Sequence, residues 1–178
     1  GTPTTTDYEY NAGNQLYRQR VNAGAWTNLS YDNNGSLTSD GTNSYTWDRA
    51  NRLLSMGGSS YAYDGLGNRH KQTISGTATN YLLDLQPGLT VVLAQTTGAN
   101  TDRFLHALEG IHAQKDAANN WEYLEQDGLG SVRGVVSSSL SILETRLGDP
   151  FGNAISSTGS SQTSFGFTGE MSDPNELL

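Results

Sequence analysis

Tyr31-Asp32-Asn33-Asn34-Gly35-Ser36-Leu37 is followed sixteen residues later by Trp47-Asp48-Arg49-Ala50-Asn51-Arg52-Leu53. After a further sixteen comes Tyr63-Asp64-Gly65-Leu66-Gly67-Asn68-Arg69. Each stretch reads aromatic, Asp, two small or polar residues, then Gly or Asn, with Leu or Arg close behind. Tyr10-Asn11-Ala12-Gly13-Asn14-Gln15-Leu16 is a fourth copy, 21 residues before Tyr31, with Asn in the Asp position. So short a fixed period marks a repeat architecture, in which no unit buries its own apolar face and stacked neighbours supply the core.

Local patterning predicts strands and turns between these copies. Aromatics alternate at Tyr8/Tyr10, Tyr45/Trp47 and Tyr61/Tyr63, the period of a strand with one buried face. Asn33-Asn34-Gly35, Asp40-Gly41 and Gly57-Gly58 are turn formers that tolerate positive φ. From Tyr8 to about Lys71 the reading is a meander of antiparallel hairpins. Beyond it Tyr81-Leu82-Leu83 and, after Pro87-Gly88, Leu89 to Ala94 read as more buried strands. Phe104-Leu105-His106 and Gly110 to Gln114 form a further pair, with Thr101 to Leu108 fitting a helix about as well as a strand. Trp121 to Leu124 leads into Asp127 to Arg133, followed by a hairpin of Gly134-Val135-Val136 and Ile142 to Thr145. Asp149 to Asn153 is a tight turn, Ser156 to Ser164 a loop, and Phe165 to Glu170 the last strand. The fold class is all-β, an antiparallel repeat sheet of successive hairpins.

Composition agrees. Of the 178 residues 34% are hydrophobic and 16% charged, both below globular averages, and 21 are Gly. Nine Tyr and three Trp, placed periodically, argue for order, because disordered chains are depleted in aromatics. A net charge of −8 with scattered basic residues speaks against a nucleic-acid partner, since phosphate contacts need clustered Lys and Arg. The absence of Cys excludes disulfides and thiolate metal sites. No apolar run is long enough to insert in a membrane, and no signal peptide opens the chain. Gly1-Thr2-Pro3 without an initiator Met reads as a processed or introduced start, and residues 1–7 as unstructured, in a fragment of a longer protein.

The sequence resembles the rearrangement-hotspot (RHS) or YD-repeat family. Tyr31-Asp32, Trp47-Asp48 and Tyr63-Asp64 match its tyrosine–aspartate repeat, over residues 8–80. Asp127-Gly128-Leu129-Gly130-Ser131-Val132-Arg133 resembles a core D-x-L-G-S-x-R run. Asp149-Pro150-Phe151-Gly152-Asn153 and Phe167-Thr168-Gly169-Glu170 resemble the next two core elements, in the expected order, within an RHS-associated core region over 81–178. The resemblance implies a sheet strip wound into a hollow shell, of which this chain is a curved piece. It also implies a C-terminal cargo or toxin polypeptide held inside, released by self-cleavage beyond the core. The chain stops at Asn175-Glu176-Leu177-Leu178, where the family continues into a Tyr- and Arg-rich strand, and the cleavage aspartates would lie beyond that. Secretion or display at a bacterial cell surface is the localisation implied.

Several of these features also admit a chemical reading. Asp32, Asp48 and Asp64 could be metal ligands, but Asp32-Asn33-Asn34-Gly35 lacks the alternating oxygens and distal Glu of a calcium loop. Each Asp, with Gly35 and Gly67 beside it, is better read as bonding nearby backbone N–H groups in a turn. Tyr10, Tyr31, Tyr45, Trp47, Tyr61 and Tyr63 could be glycan-stacking platforms of a surface binding module, or cross-strand ladders; their periodic spacing favours the ladder. His106 and His112 would lie about 20 Å apart on one strand at roughly 3.3 Å per residue, so sharing an ion requires a turn, which Gly110 permits. His70 stands among polar residues. Gly65-Leu66-Gly67 and Gly128-Leu129-Gly130 lack the rest of a phosphate loop. Asp173-Pro174 lies too early for family cleavage, and no Gly-x-Ser-x-Gly elbow occurs. The expectation is therefore an encapsulating structural segment with no catalytic residue, metal or cofactor. An open edge near Phe165 to Thr168 would pair with the missing downstream strand, a second copy or an extended peptide.

Overall fold

The computed structural model describes residues 3–86, 90–108, 110–160 and 162–173. Parts of the expectations above, namely Gly1-Thr2, Pro87-Gly88-Leu89 and Pro174 through Leu178, lie outside the described residues. Two compact units divide the chain at residues 78 and 79.

In the first unit β1 (Thr6–Tyr10), β2 (Leu16–Val21) and β3 (Thr27–Asn28) form one antiparallel sheet, and β4 (Ser30–Tyr31) pairs with β5 (Leu37–Ser39). β6 (Tyr45–Trp47), β7 (Leu53–Met56), β8 (Ser59–Tyr63) and β9 (Arg69–Ile74) follow as consecutive hairpins. The expected meander is thus interrupted, with only the single bridge Ser39↔Ser44 across the β5–β6 connection. Strands of two residues flank the β3–β4 break and strands of three flank the β5–β6 break, too short to carry a ladder across.

The second unit holds β10 (Thr77–Asp84) from its third residue on, then β11 (Val91–Thr97), β12 (Asn100–Ala107), β13 (Gly110–Lys115), β14 (Trp121–Gln126), β15 (Val132–Ser137), β16 (Ile142–Gly148) and β17 (Ala154–Gly159). Strand order follows chain order, and each strand from β10 to β17 runs antiparallel to the next. The ambiguous window at Thr101 to Leu108 is strand, because its backbone groups pair with both β11 and β13.

One face of the second unit carries its core. Phe104, Ile111, Leu124, Val132 and Val135 are buried there together with Phe165, whose ring meets Phe104 edge-on at 4.9 Å between centroids. Phe165 arrives from residues 162–173, which follow β17 and turn back onto this face. Val132 N–H donates to Gly166 O at 2.9 Å and Arg146 donates to the carbonyls of Thr163 and Phe165.

Two expectations fail here. Ser156 to Ser164 is not all loop, since Ala154–Gly159 is β17, paired with β16 from Gly148↔Ala154 to Glu144↔Gly159. Its Ser/Thr content reads as a loop, yet a polar, fully exposed sequence also suits a strand at the end of a sheet. Phe165 to Glu170 is not a strand. It is a turn closed by the bridge Phe165↔Met171, with a 3₁₀ turn at Phe167–Gly169. Thr168 and Gly169 both take positive φ, 52° and 73°, which no extended strand allows. The sheet ends at β17 instead, so the open edge expected near Phe165 to Thr168 is absent.

Candidate functional site

The repeated aspartates all build one turn. Asp32 Oδ1 accepts the N–H groups of Asn34 and Ser36, both at 2.9 Å, while Gly35 N–H donates to Asp32 O and Asp32 N–H to Ser36 O. This is a type I turn followed by a residue in the left-handed region, a three-residue hairpin loop with the Asp side chain bonded across it. Asp48 repeats the bonds with Ala50 and Arg52, and Asp64 with Leu66 and Asn68. Asn11 does the same with Gly13 and Gln15, so an amide oxygen replaces the carboxylate without changing the turn.

Four further copies escape the aromatic-Asp signature. Asp127 and Asp149, placed by resemblance in core elements, close the same loop with Leu129/Ser131 and Phe151/Asn153. Asp116 closes it with Asn120, and Ser137 uses its hydroxyl to accept from Ser141. The fourth residue of all eight has positive φ: Asn14, Gly35, Asn51, Gly67, Asn119, Gly130, Leu140 and Gly152. The signal that finds Asp116, Asp127 and Asp149 is D-x-x-[G/N] alone, without the preceding aromatic.

The aromatic has a separate task. Tyr31 hydroxyl donates to Leu16 O at 2.8 Å, Trp47 Nε1–H to Leu37 O at 2.7 Å, and Tyr63 hydroxyl to Leu53 O at 2.9 Å. In each case the acceptor lies five residues after the turn residue of the preceding repeat. These three copies are each clasped to the one before through a carbonyl that side-chain identity cannot alter. Arg52 adds to the third repeat, with Nε 2.7 Å from Asp48 Oδ2, Nη1 donating to Asp64 O, and its guanidinium over the Tyr63 ring. Tyr45 hydroxyl donates to Asp40 Oδ2 at 2.6 Å, Tyr61 is buried, and Tyr8 and Tyr10 are more than half exposed.

The three core elements meet in space. Thr168 N–H donates to Ser131 Oγ at 3.0 Å, and a Cβ on Gly169 would come within 3.1 Å of Gly130 O. The Phe167 ring lies against Gly152, where a Cβ would stand 2.7 Å from the ring. Arg133 closes the first element by pairing its Nε with Asp127 Oδ2 at 2.7 Å. Pro150 is exposed and occupies the second residue of its turn, where a fixed φ fits. Phe151, one residue on, is 84% exposed.

Beside this junction opens a cavity of about 1060 Å³, with Gln95, Asp102, Gln114, Glu144, Phe151 and Phe167 on its walls. Arg146 grips Glu144 with two nitrogens, at 2.5 and 3.0 Å. Glu122, buried behind Gln114, accepts Gln114 Nε2–H at 2.6 Å, and burial pushes its carboxyl up from the ordinary glutamate range.

The histidines do not form a pair. A turn does join their strands, with His106 opposite Ile111. His106 nonetheless lies on the core side at 2.9 Å from Val92 O, whereas His112 is exposed between the buried Ile111 and Ala113. No cluster of three metal-ligating side chains occurs among the described residues. No helix among them is long and apolar enough to cross a membrane.

The profile of the teneurin YD-shell family matches residues 1–94, over half of the sequence. The chain belongs to this YD-shell family. The tRNA3(Ser)-specific nuclease WapA of Bacillus spizizenii is 37% identical to it over 91 residues, which is 47% of this chain and 4% of the nuclease. The tRNA nuclease WapA of Bacillus subtilis strain 168 shows the same identity over the same length. Among solved structures, a chain of the Photorhabdus luminescens Tc holotoxin pore superposes with a TM-score of 0.52 at 15% identity, covering 98% of this chain and 11% of that one. A chain of a TcdB2–TccC3–Cdc42 crystal structure gives 0.51 at 14% identity, covering 96% and 11%. The YD-shell segment thus spans a small part of each relative's length. At these identities the structural likeness concerns the fold.

Proposed function

We propose that this YD-shell segment is wall material of a larger shell that encloses and protects a polypeptide carried by the same protein. The observation that carries this reading is the turn-and-clasp array. Among the described residues, eight copies of one turn close successive hairpins and three aromatic clasps fasten one hairpin to the one before it. They spend the polar groups of Asp, Tyr and Trp on the chain's own backbone rather than presenting them to a ligand. Family membership and the WapA and Tc relatives support the same reading. The role is structural, without catalysis in this segment, and its partner is a C-terminal cargo or toxin.

We assign residues 8–80 to the repeat wall and 81–178 to the core region, with the Asp127, Asp149 and Phe167 elements as its junction. A bacterial secreted or surface setting completes the proposal. The test is limited proteolysis of the parent protein with its C-terminal polypeptide in place. The cargo should survive protease doses that digest it when it is expressed alone. Deleting residues 8–80 should expose it. Equal digestion of cargo in the intact and the deleted protein would refute enclosure.

A further inference from the structure

The cavity in the second unit contains polar groups that the shell fold alone does not explain. Along the core face, Gln95 lies opposite Asp102, and Gln114 opposite both Phe104 and Glu122. Asp102 and Phe104 alternate to the same face, so Asp102 is a diagonal neighbour of Gln114 on the adjacent strand. A hydrophobic core thus gives way, within one residue row, to two carboxylates and two amides.

The hydrogen bonds of this row are incomplete. Gln114 is only 3% exposed and lines the cavity. Its Nε2 donates to Glu122 Oε2 and to Gln162 O, both at 2.6 Å, which fixes the amide orientation because a flipped group would face oxygen to oxygen. Its Oε1 meets no donor among the described residues. An unmet buried acceptor costs about 1–3 kcal/mol. The charges are unbalanced as well. Arg146 is committed to Glu144 and to two carbonyls. Among the described residues Asp102 receives only the neutral Gln95 side-chain amide, at 3.0 Å. Glu122 has Asp116, Asp102 and Glu144 as charged neighbours, all of its own sign. Among the described residues no cation pairs with Asp102 or Glu122.

A single kind of group meets both needs. It carries positive charge and several N–H donors in a plane, so that it can bond a carboxylate and an amide oxygen side by side. That is a guanidinium; an ammonium is a point charge with no such fork. The walls accommodate the rest of such a side chain, since Phe151 and Phe167 offer aromatic surface for an aliphatic stem or for stacking. The volume is that of several residues of extended peptide and not of one small ion.

We propose that this cavity is a receptor for an arginine side chain of the enclosed polypeptide, with Asp102 and Gln114 Oε1 taking its N–H groups. The inference rests on the enclosure reading above and adds the chemistry of the contact. Docked there, the arginine balances the acidic end of the cavity, with Glu122 and Glu144 contributing their field at close range.

The experiment uses the whole 178-residue chain, ¹⁵N-labelled, and follows the Gln114 side-chain amide and the Asp102 backbone amide by NMR. Three probes are titrated: acetyl-Gly-Arg-Gly-amide, the same peptide with uncharged citrulline for arginine, and free agmatine. The expected result is saturable shifts at Gln114 and Asp102 with the arginine peptide, and binding at least about tenfold weaker with citrulline. Agmatine should bind more weakly than the arginine peptide. Asp102→Asn should weaken the peptide about fivefold or more while leaving the melting temperature in place. Equal binding of the two peptides, shifts elsewhere on the molecule, or no shifts overturns the proposal. Agmatine binding as tightly as the arginine peptide overturns the polypeptide as occupant. Cargo protection without arginine binding would sink this inference alone. Arginine binding without cargo protection would sink the enclosure reading instead.

Discussion

At the scale of single residues, the turn aspartate is a backbone fastener. Its oxygen satisfies two N–H groups that a hairpin loop otherwise leaves to water. Asp64→Ala removes that acceptor from Leu66 and Asn68 N–H and releases Asn68 Nδ2, which sits 3.0 Å from the second oxygen. The melting temperature should fall by about 3–6 °C, by analogy with loss of a helix cap. Asp64→Asn should lose less than half as much, because Asn11 already closes this turn with an amide. A thermal melt of both variants checks this; equal losses would show that charge, not the hydrogen-bond pattern, matters. Leu140 breaks the same rule in the opposite direction. It holds φ at 63° with its side chain 82% exposed, where Gly or Asn stands in the other seven copies. Left-handed backbone strains a branched side chain, and no packing offsets it. Leu140→Asn should therefore stabilise the chain by about 0.5–1 kcal/mol in denaturant unfolding, with no gain contradicting the strain. The three aspartates at 32, 48 and 64 were legible because an aromatic preceded each. Asp149 to Asn153 reads as a turn in sequence, but its identity with the repeat turn, like that of Asp116 and Asp127, is hidden because Lys115, Gln126 and Gly148 stand where the clasp aromatic is expected.

At the scale of elements, the clasp supplies a link that the turn alone does not. A hairpin turn fixes how one strand meets the next, but not how one hairpin is held to another. Tyr31, Trp47 and Tyr63 supply that link by reaching a main-chain carbonyl just past the preceding turn, across steps of 21, 16 and 16 residues. Tyr31→Phe and Tyr63→Phe keep the ring and remove only the donor. Each should cost about 1 kcal/mol, and the amides around Leu16 and Leu53 should exchange faster with solvent. Unchanged exchange at those strands would show that the rings act by packing alone. Element boundaries were read well where side-chain alternation spoke and poorly where backbone partners decided. β17 is Ser/Thr-rich and gains its strand state from β16, a partner no local pattern reveals. Phe165 to Glu170 has strand-like aromatics, yet its backbone is spent on Ser131, Val132 and its own tight turn. The cavity beside it was invisible in sequence, since Asp102, Gln114 and Glu122 converge only through the register of three strands.

At the scale of the whole molecule, the same turns set how stability depends on pH. Asp40 is held down to about 2, chiefly by the Tyr45 hydroxyl. Asp48 is lowered first by Arg52 N–H, Asp64 and Asp149 by the side chains of Asn68 and Asn153, Asp116 by Asn120, and Asp127 by Arg133. Each of these groups binds its proton less readily folded than unfolded. Their contribution is complete above the unfolded carboxylate range near pH 4 and is lost as pH falls through the lowered values toward about 2. Glu122 runs the other way. Burial, with neighbouring carboxylates, raises it, so the folded state prefers the protonated form and loses stability as pH rises from about 4 through the raised value. The melting temperature should therefore drop steeply below about pH 4 and decline gently above it. Glu122→Gln keeps the acceptor for Gln114 Nε2 and removes the titrating charge. It should abolish the upper decline, raising the melting temperature at pH 7 by a few degrees, while leaving the acid limb in place. Melts of the parent chain and of Glu122→Gln across this range separate the two limbs. A melting temperature flat down to about pH 2.5 would remove the turn aspartates from the account. An unchanged upper limb in the variant would show that Glu122 is already balanced in the folded chain.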